Sequence, residues 1–297
     1  VELSIAYALT GPDGTRVVFG NGDVARLDPD WVGYLDPQNG ITGLLDGADV
    51  RENAVEIPQG DGGVDGPYYL GRRPGTIQGV VDPNASTTTQ ETKIAKVKRA
   101  SRALRADAVL RWTPSTDGIE RMLRLRRSGR PSFPGRRPKS FQLAMTSRDA
   151  YVLASIESNL DVVPGAAAGE LGIADAITDP ITSELNVTAQ QFVQNAGDAE
   201  TWPRFRVQGP ITNPEILNVT TGKRVRLVYT LAAGEWLDVY PERGVILLGG
   251  SADRYSALDF DLSEWWQLVP GLNDVRLLAA AYSAGARVTV YWRHAWE

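Results

Sequence analysis

The feature that most constrains this chain is a period of two in its last third, from Trp202 to Trp296. The run opens WPRFRVQGPITNPEILN, passes through GEWLDVYPERGVILLGG and SEWWQLVPGLNDVRLLAA, and closes ARVTVYWRHAW. Val225, Leu227, Tyr229 and Leu231 fall on one side, with Arg224, Arg226 and Thr230 on the other. Val275, Leu277 and Ala279 alternate with Arg276, Leu278 and Ala280, and Val288, Val290 and Trp292 with Arg287, Thr289 and Arg293. Successive side chains of a strand point to opposite faces, so such runs bury one face and leave the other to water. Turn residues separate the runs: Thr221-Gly222-Lys223, Ala233-Gly234-Glu235, Pro241 to Gly244, Pro270-Gly271 and Gly285. Short strands at this spacing predict an antiparallel β-sandwich of jelly-roll type.

The remaining two thirds also read as β structure. At 297 residues two domains are expected rather than one core, and 42% hydrophobic residues with eight Trp can fill both. Thirty Gly and 18 Pro favour many turns over long helices, so the whole chain is expected to be mainly β. Leu3, Ile5 and Tyr7 alternate within Glu2 to Thr10, Gly11 to Gly14 is a turn, and Arg16 to Phe19 returns as a hairpin. Trp31 and Tyr34 read as isolated anchors. Further short strands are expected over Ile41–Leu45, Ala48–Ile57, Tyr68–Leu70 and Thr76–Val81, with Gln59–Gly66 a Gly/Asp-rich loop. Leu123 and Leu125 alternate with Arg124 and Arg126, and Phe141, Leu143 and Met145 with Gln142, Ala144 and Thr146.

One helix interrupts these strands. Thr88 and Glu91 have capping-box spacing. Ile94, Val97, Ser101, Leu104 and Ala108 then form a narrow apolar stripe that Pro114 ends. Lys96, Lys98, Arg99, Arg102 and Arg105 lie mostly on the wet side, so the helix is expected to cover one face of the N-terminal sheet. The domain boundary is placed at 155/156. The first part of the second domain, about 40 residues, reads as linker or insertion, with Val162 to Asp179 at its centre.

Charge is segregated. Lys93 to Lys139 holds 15 basic and three acidic residues, while the rest of the chain holds 16 basic and 33 acidic. Segregation of this kind bears on partners and association. The basic segment lacks the interleaved aromatics of single-strand binders, so sequence-specific nucleic-acid binding is not expected. Two uses stay open for it: a face toward an acidic neighbour, including another copy of the chain, or a wall past which genomic DNA travels unread.

Most chemistries lack their residues. With no Cys and a single His, His294, no zinc ligand set exists, no disulfide framework is possible, and assembly in a reducing cytoplasm is expected. No charged-then-apolar leader and no run of 18 apolar residues occurs, and the initial Val1 implies a removed Met. Gly20-Asn21-Gly22-Asp23-Val24-Ala25 fits a dinucleotide-binding spacing, but Pro29 falls where its helix would have to continue, so a turn is expected. Asp259 and Asp261, with Glu264 nearby, would share a strand face; a solvated rim is the expected reading, with no catalytic, cofactor or metal site. Trp236, Tyr240, Trp265, Trp266, Trp292 and Trp296 are of the type that stacks on sugars, and Trp236, Trp265 and Trp266 are the candidate glycan platform. Adjacent Trp265 and Trp266 must point to opposite faces, so at most one of them is core.

Several of these residues also carry a family likeness. A Gly-Pro-Ile-Thr-Asn-Pro turn (Gly209 to Pro214) follows an Arg-containing strand, Ala233-Gly234-Glu235 precedes Trp236-Leu237-Asp238-Val239, and Ser263, Trp265 and Leu268 lead into Pro270 to Asn273. This order resembles the C-terminal domain of the distal tail protein of long-tailed, non-contractile phages. Ile41 to Val81 and Phe141 to Leu153 resemble the N-terminal domain of the same family. The resemblance implies an N-terminal β-sandwich or split-barrel-like domain with a covering helix (1–155) and a C-terminal galectin- or carbohydrate-binding-module-like β-sandwich (156–297). It implies a non-enzymatic virion protein that forms a hexameric ring at the tail tip. Its partners would be the tail tube protein, the tape-measure protein, the tail-associated hub protein and receptor-binding proteins. Lys96, Arg99, Arg102, Arg124 and Arg126 would then lie near subunit or hub contacts. A carbohydrate-binding tail adhesin acting through the C-terminal sandwich is the alternative.

Overall fold

The computed structural model describes residues 5–51, 55–56, 63–64, 69–102, 105–134, 139–164 and 191–297. They divide into two compact units, Val1–Ser155 with Glu297, and Ile156–Trp296. Both are built of β-strands.

Seven strands close the first unit into a barrel: β1 (Tyr7–Thr10), β2 (Arg16–Phe19), β3 (Trp31–Leu35), β4 (Arg73–Val81), β5 (Ala108–Trp112), β6 (Arg121–Arg127) and β7 (Ser140–Ser147). Around the wall they run β5-β1-β2-β3-β4-β7-β6, and β6 pairs back to β5. All neighbours are antiparallel except β2 and β3, which are parallel. Leu9, Phe19, Ile77, Leu110, Leu123, Leu125 and Leu143 are buried, and Phe19 meets Phe141 at 5.0 Å between ring centroids. Gly79 permits a close crossing: a Cβ there would stand 2.3 Å from the Tyr34 carbonyl oxygen and 2.6 Å from the Phe141 ring.

The expected helix is present, with different ends. α2 spans Thr87–Ala100, after a one-turn helix α1 (Asp23–Arg26). Its cap is Ser86, whose hydroxyl accepts from the Thr89 N–H, not the Thr88/Glu91 box. An extended Ser86 can turn its oxygen onto an orphan N–H, a job that Thr88, already helical, cannot do. Gln90, Ile94, Val97 and Ala100 face the barrel over β2, β3 and β4, and burying Ile94 and Val97 contributes about 1.5–3 kcal/mol each. This cover explains why Val17, Val18 and Phe19 are all buried: alternate residues of β2 face the barrel interior and α2. The helix stops at Ala100, and Ala108 begins β5, where Ala108, Leu110 and Trp112 are buried with a period of two. Ala108 fits the helical stripe only by coincidence of spacing. Leu104 lies outside the described residues, as does most of the expected Gln59–Gly66 loop.

Two more N-terminal readings change. Trp31 and Tyr34 belong to strand β3 and pack edge to face at 5.2 Å. The turn expected at Gly20–Ala25 instead leads into α1, which ends before Pro29 and forms part of the crossover that parallel strands require.

The second unit is a β-sandwich. One sheet orders β8 (Ser158–Val162), β16 (Arg287–Trp292), β10 (Arg204–Gln208), β13 (Trp236–Tyr240), β14 (Val245–Leu248) and the short Ala252–Asp253. The other orders β9 (Gln191–Asn195), β15 (Gly271–Leu278), β11 (Glu215–Asn218) and β12 (Lys223–Arg226). Phe205, Val207, Val239, Val288 and Val290 from the first sheet and Ile216, Val225, Val275 and Leu277 from the second share one core. The turn glycines Gly222, Gly234, Gly244, Gly271 and Gly285 all take positive φ, the backbone state that only glycine adopts cheaply. The linker reading is corrected at both ends: Ser158–Val162 pairs with Arg287–Trp292, Val162 is fully buried, and Gln191–Asn195 pairs with β15. Residues 165–190 lie outside the described set. Asp259 and Asp261 are not strand neighbours; they sit in a turn where Asp259 accepts from the Asp261 N–H.

Candidate functional site

The basic stretch is far less exposed as charge than its sequence suggests. Lys93 lies 3.4 Å from Asp82 and 4.4 Å from the centre of the Trp31 ring. Lys96 lies 3.5 Å from Asp30. Arg124 grips Asp149 with two hydrogen bonds of 2.7 Å, and Arg126 shares Asp107 with Arg148. Arg16 holds Asp28 in the same two-pronged way, and that hydrogen bonding keeps the Asp28 carboxyl below the usual carboxylate range. Among the five basic residues placed near contacts by sequence, Arg99, Arg102 and Arg126 are exposed, and Lys96, Arg124 and Arg126 are held by carboxylates of their own unit.

Arg102 also lines a cleft of about 70 Å³ with exposed Ala106, Arg126 and Arg127, over buried Ala108, Leu125 and Met145. Elsewhere on this unit α1 projects two apolar side chains, Val24 at 70% and Leu27 at 85% exposure. A run of one Val, one Ala and one Leu among Gly, Asp and Asn gives no periodic signal, so sequence reading passes it by.

The aromatic residues of the second unit divide sharply. Trp266 is only 1% exposed and packs on Phe205 at 4.9 Å, so it is core and cannot stack on a glycan. Trp265 is partly buried against the same core instead of pointing to an opposite face, because neither tryptophan lies in a strand. Trp236 donates its Nε1 hydrogen to Asp238 at 3.2 Å and has the Arg206 guanidinium 5.6 Å from its ring centre. Arg206 in turn makes two hydrogen bonds to the buried Asp238, which raise the Arg206 pKa. Beside it, Arg204 lies 3.6 Å from the centre of the Tyr291 ring and bonds to Glu157. Burial pulls Arg204 down, but the bond and charge of Glu157 outweigh it and the net shift is upward. A sugar approaching Trp236 would meet a ring already engaged by cation and carboxylate. His294 accepts from the Ala196 N–H and sits between Trp292 and Trp296, a structural placement. Among the described residues no His, Asp or Glu cluster of metal-binding size occurs. Exposed Tyr255 and Phe260 pack edge to face at 5.4 Å on a surface loop, a second apolar feature that the strand alternation did not signal.

Comparison with known proteins bears on both units. Residues 196–296 match the family described as siphovirus-type tail component, C-terminal domain. No curated protein sequence matches the chain. Among solved structures, the SPP1 Dit protein, described as a paradigm of hub adsorption apparatus in Gram-positive infecting phages, matches at a TM-score of 0.59 and 18% identity. That match covers 86% of this chain and 91% of the SPP1 protein. A chain of the phage P2 baseplate in its activated conformation with Ca matches more loosely, at a TM-score of 0.44 and 11% identity over 97% of this chain and 98% of that one. Residues 196–296 thus resemble the siphovirus-type tail component C-terminal domain, and the chain shares the fold of the SPP1 Dit protein.

Proposed function

We propose that this protein is a structural subunit of a phage tail hub, and that copies of it form a hexameric ring linking the tail tube to the tail tip. The observation that carries the reading is the coincidence of two independent likenesses: a tail-component family match over 196–296 and a Dit-like fold over 86% of the chain. In this reading the barrel unit builds the ring and the sandwich unit faces outward as an attachment platform for receptor-binding proteins. The tail tube, tape-measure and tail-associated hub proteins are the remaining partners. The subunit would be made in the host cytoplasm and end in the virion. A ring subunit needs no covalent chemistry, only surfaces that repeat with closed symmetry. Lys96, Arg99, Arg102, Arg124 and Arg126 lie near subunit or hub contacts, with exposed Arg99 and Arg102 meeting the partner directly. The adhesin alternative has lost Trp266 to the core and finds Trp236 engaged by Arg206.

Light scattering after size exclusion, with negative-stain imaging, tests the ring. Annular particles with a mass of six subunits are expected. A strictly monomeric protein at high concentration, across low and moderate salt, would remove the reading.

A further inference from the structure

We propose that neighbouring copies dock head to tail by seating the α1 knob of one barrel, Val24 and Leu27, in the Arg-rimmed cleft of the next. The inference rests on the ring reading and assigns its contact.

The knob has three properties that suit it to a partner. Val24 and Leu27 are three residues apart on one helical turn, so they share a face. Both project into solvent while Ala25 between them is buried and anchors the turn. Beside them the Asp23 side chain is 97% exposed, with the Arg26 guanidinium 3.9 Å away. The guanidinium of Arg26 is drawn toward Trp31 and Tyr34, 6.0 and 5.7 Å from the ring centres, which keeps a cation beside the barrel wall.

The cleft is the complement. Ala108, Leu125 and Met145 lie at its base, each at most 3% exposed, and exposed Arg102, Ala106, Arg126 and Arg127 surround it, with Arg126 held by Asp107. At about 70 Å³ it has room for roughly two waters at ~30 Å³ each, or for the tip of one branched aliphatic side chain. An apolar tip beside a carboxylate therefore meets a small cleft, more polar than apolar, that is flanked by guanidiniums. Complementary charge of this kind sets orientation and speeds encounter.

Topology puts the two surfaces where a ring needs them. The knob lies on the crossover between β2 and β3, and the cleft lies where β5, β6 and β7 end. Around the wall the β2–β3 pair and the β7–β6 pair are three strands apart in seven. Two different patches on separate walls generate a head-to-tail contact that can propagate and close; a self-complementary patch would stop at a two-fold dimer.

The absence of any cysteine allows a direct test with the full chain. Leu27→Cys combined with Ala106→Cys, oxidised mildly, is expected to give a ladder of covalently linked subunits on a non-reducing gel. Leu27→Cys combined with Ser256→Cys, an exposed position of the other unit, is expected to give none. Asp23→Arg and Arg127→Asp should each weaken association about tenfold or more, and the double variant should recover most of the loss. All these positions are open to solvent, and unchanged circular dichroism confirms that the variants fold. Rings of wild-type protein without the Leu27–Ala106 crosslink would overturn this contact and leave the ring standing. A wild-type protein that never associates would overturn both.

Discussion

The two units solve the problem of sheet edges in opposite ways. In the barrel β6 pairs back to β5, so each of the seven wall strands has a neighbour on both sides. In the sandwich, among the described residues, each sheet ends in strands with a single ladder partner: β8 and Ala252–Asp253 in one, β9 and β12 in the other. Closure removes most of the wall's edges, with Val152–Ala154 adding a further strand beside β6. An open sandwich keeps backbone donors and acceptors at its margins. The units also handle charge differently. The sandwich pairs its arginines across adjacent strands, as in Arg206 with Asp238 and Arg224 with Glu215. The barrel unit neutralises one basic stretch with carboxylates from distant parts of the chain, such as Asp30 and Asp149.

Four substitutions test how separate these designs are. The largest effect is expected from Trp266→Ala, which empties the centre of the sandwich and should cost about 3–5 kcal/mol. Hydrogen exchange should show protection lost across Ile156–Trp296 while the barrel amides stay protected; loss in both units together would break the contrast. Gly79→Ala comes next. Its new methyl collides with the Tyr34 carbonyl and the Phe141 ring, so about 1–3 kcal/mol should be lost from the barrel alone, read from urea unfolding. The smallest effects compare two ion pairs. Asp238→Ala strips Arg206 and the Trp236 N–H of a buried acceptor and should cost about 1–3 kcal/mol. Asp28→Asn, at a pair open to solvent, should cost about 1 kcal/mol or less. Because the folded Asp28 carboxyl titrates below its unfolded value, its contribution is whole above about pH 3.9 and fades as pH falls through the folded value. Wild type and Asp28→Asn should therefore converge in stability below that pH. A gap that persists in acid would show that Asp28 acts by something other than its charge.

What could be read from sequence followed the length of each alternating run. Ser140–Ser147 announces itself because it alternates throughout, and Arg121–Arg127, Gly271–Leu278 and Arg287–Trp292 do so over part of their length. Residues 158–162 do not: Leu160 and Val162 are too few to set a period, and pairing with β16 is what makes them a strand. The helix was overextended because Ala108 satisfies a spacing of four, while its true register is set across the wall by Leu125. The charge map misled for a related reason. Lys96 and Asp30 are 66 residues apart, and no local window brings them together. Trp265 and Trp266 read as opposite faces of a strand, but neither lies in a strand, so alternation does not govern them.

The projecting helix α1 follows from a counting rule. Strands that alternate in direction around a closed circuit must be even in number. Seven cannot do so, and at least one adjacent pair is forced to run the same way; here that pair is β2 and β3. Two strands with a common direction cannot be joined by a tight reversal, so the chain must travel back outside the wall. Residues 20–30 make that return journey and carry Val24 and Leu27 outward with them. An eight-stranded relative with strict alternation would have no parity defect, and at this position no need for an outrigger.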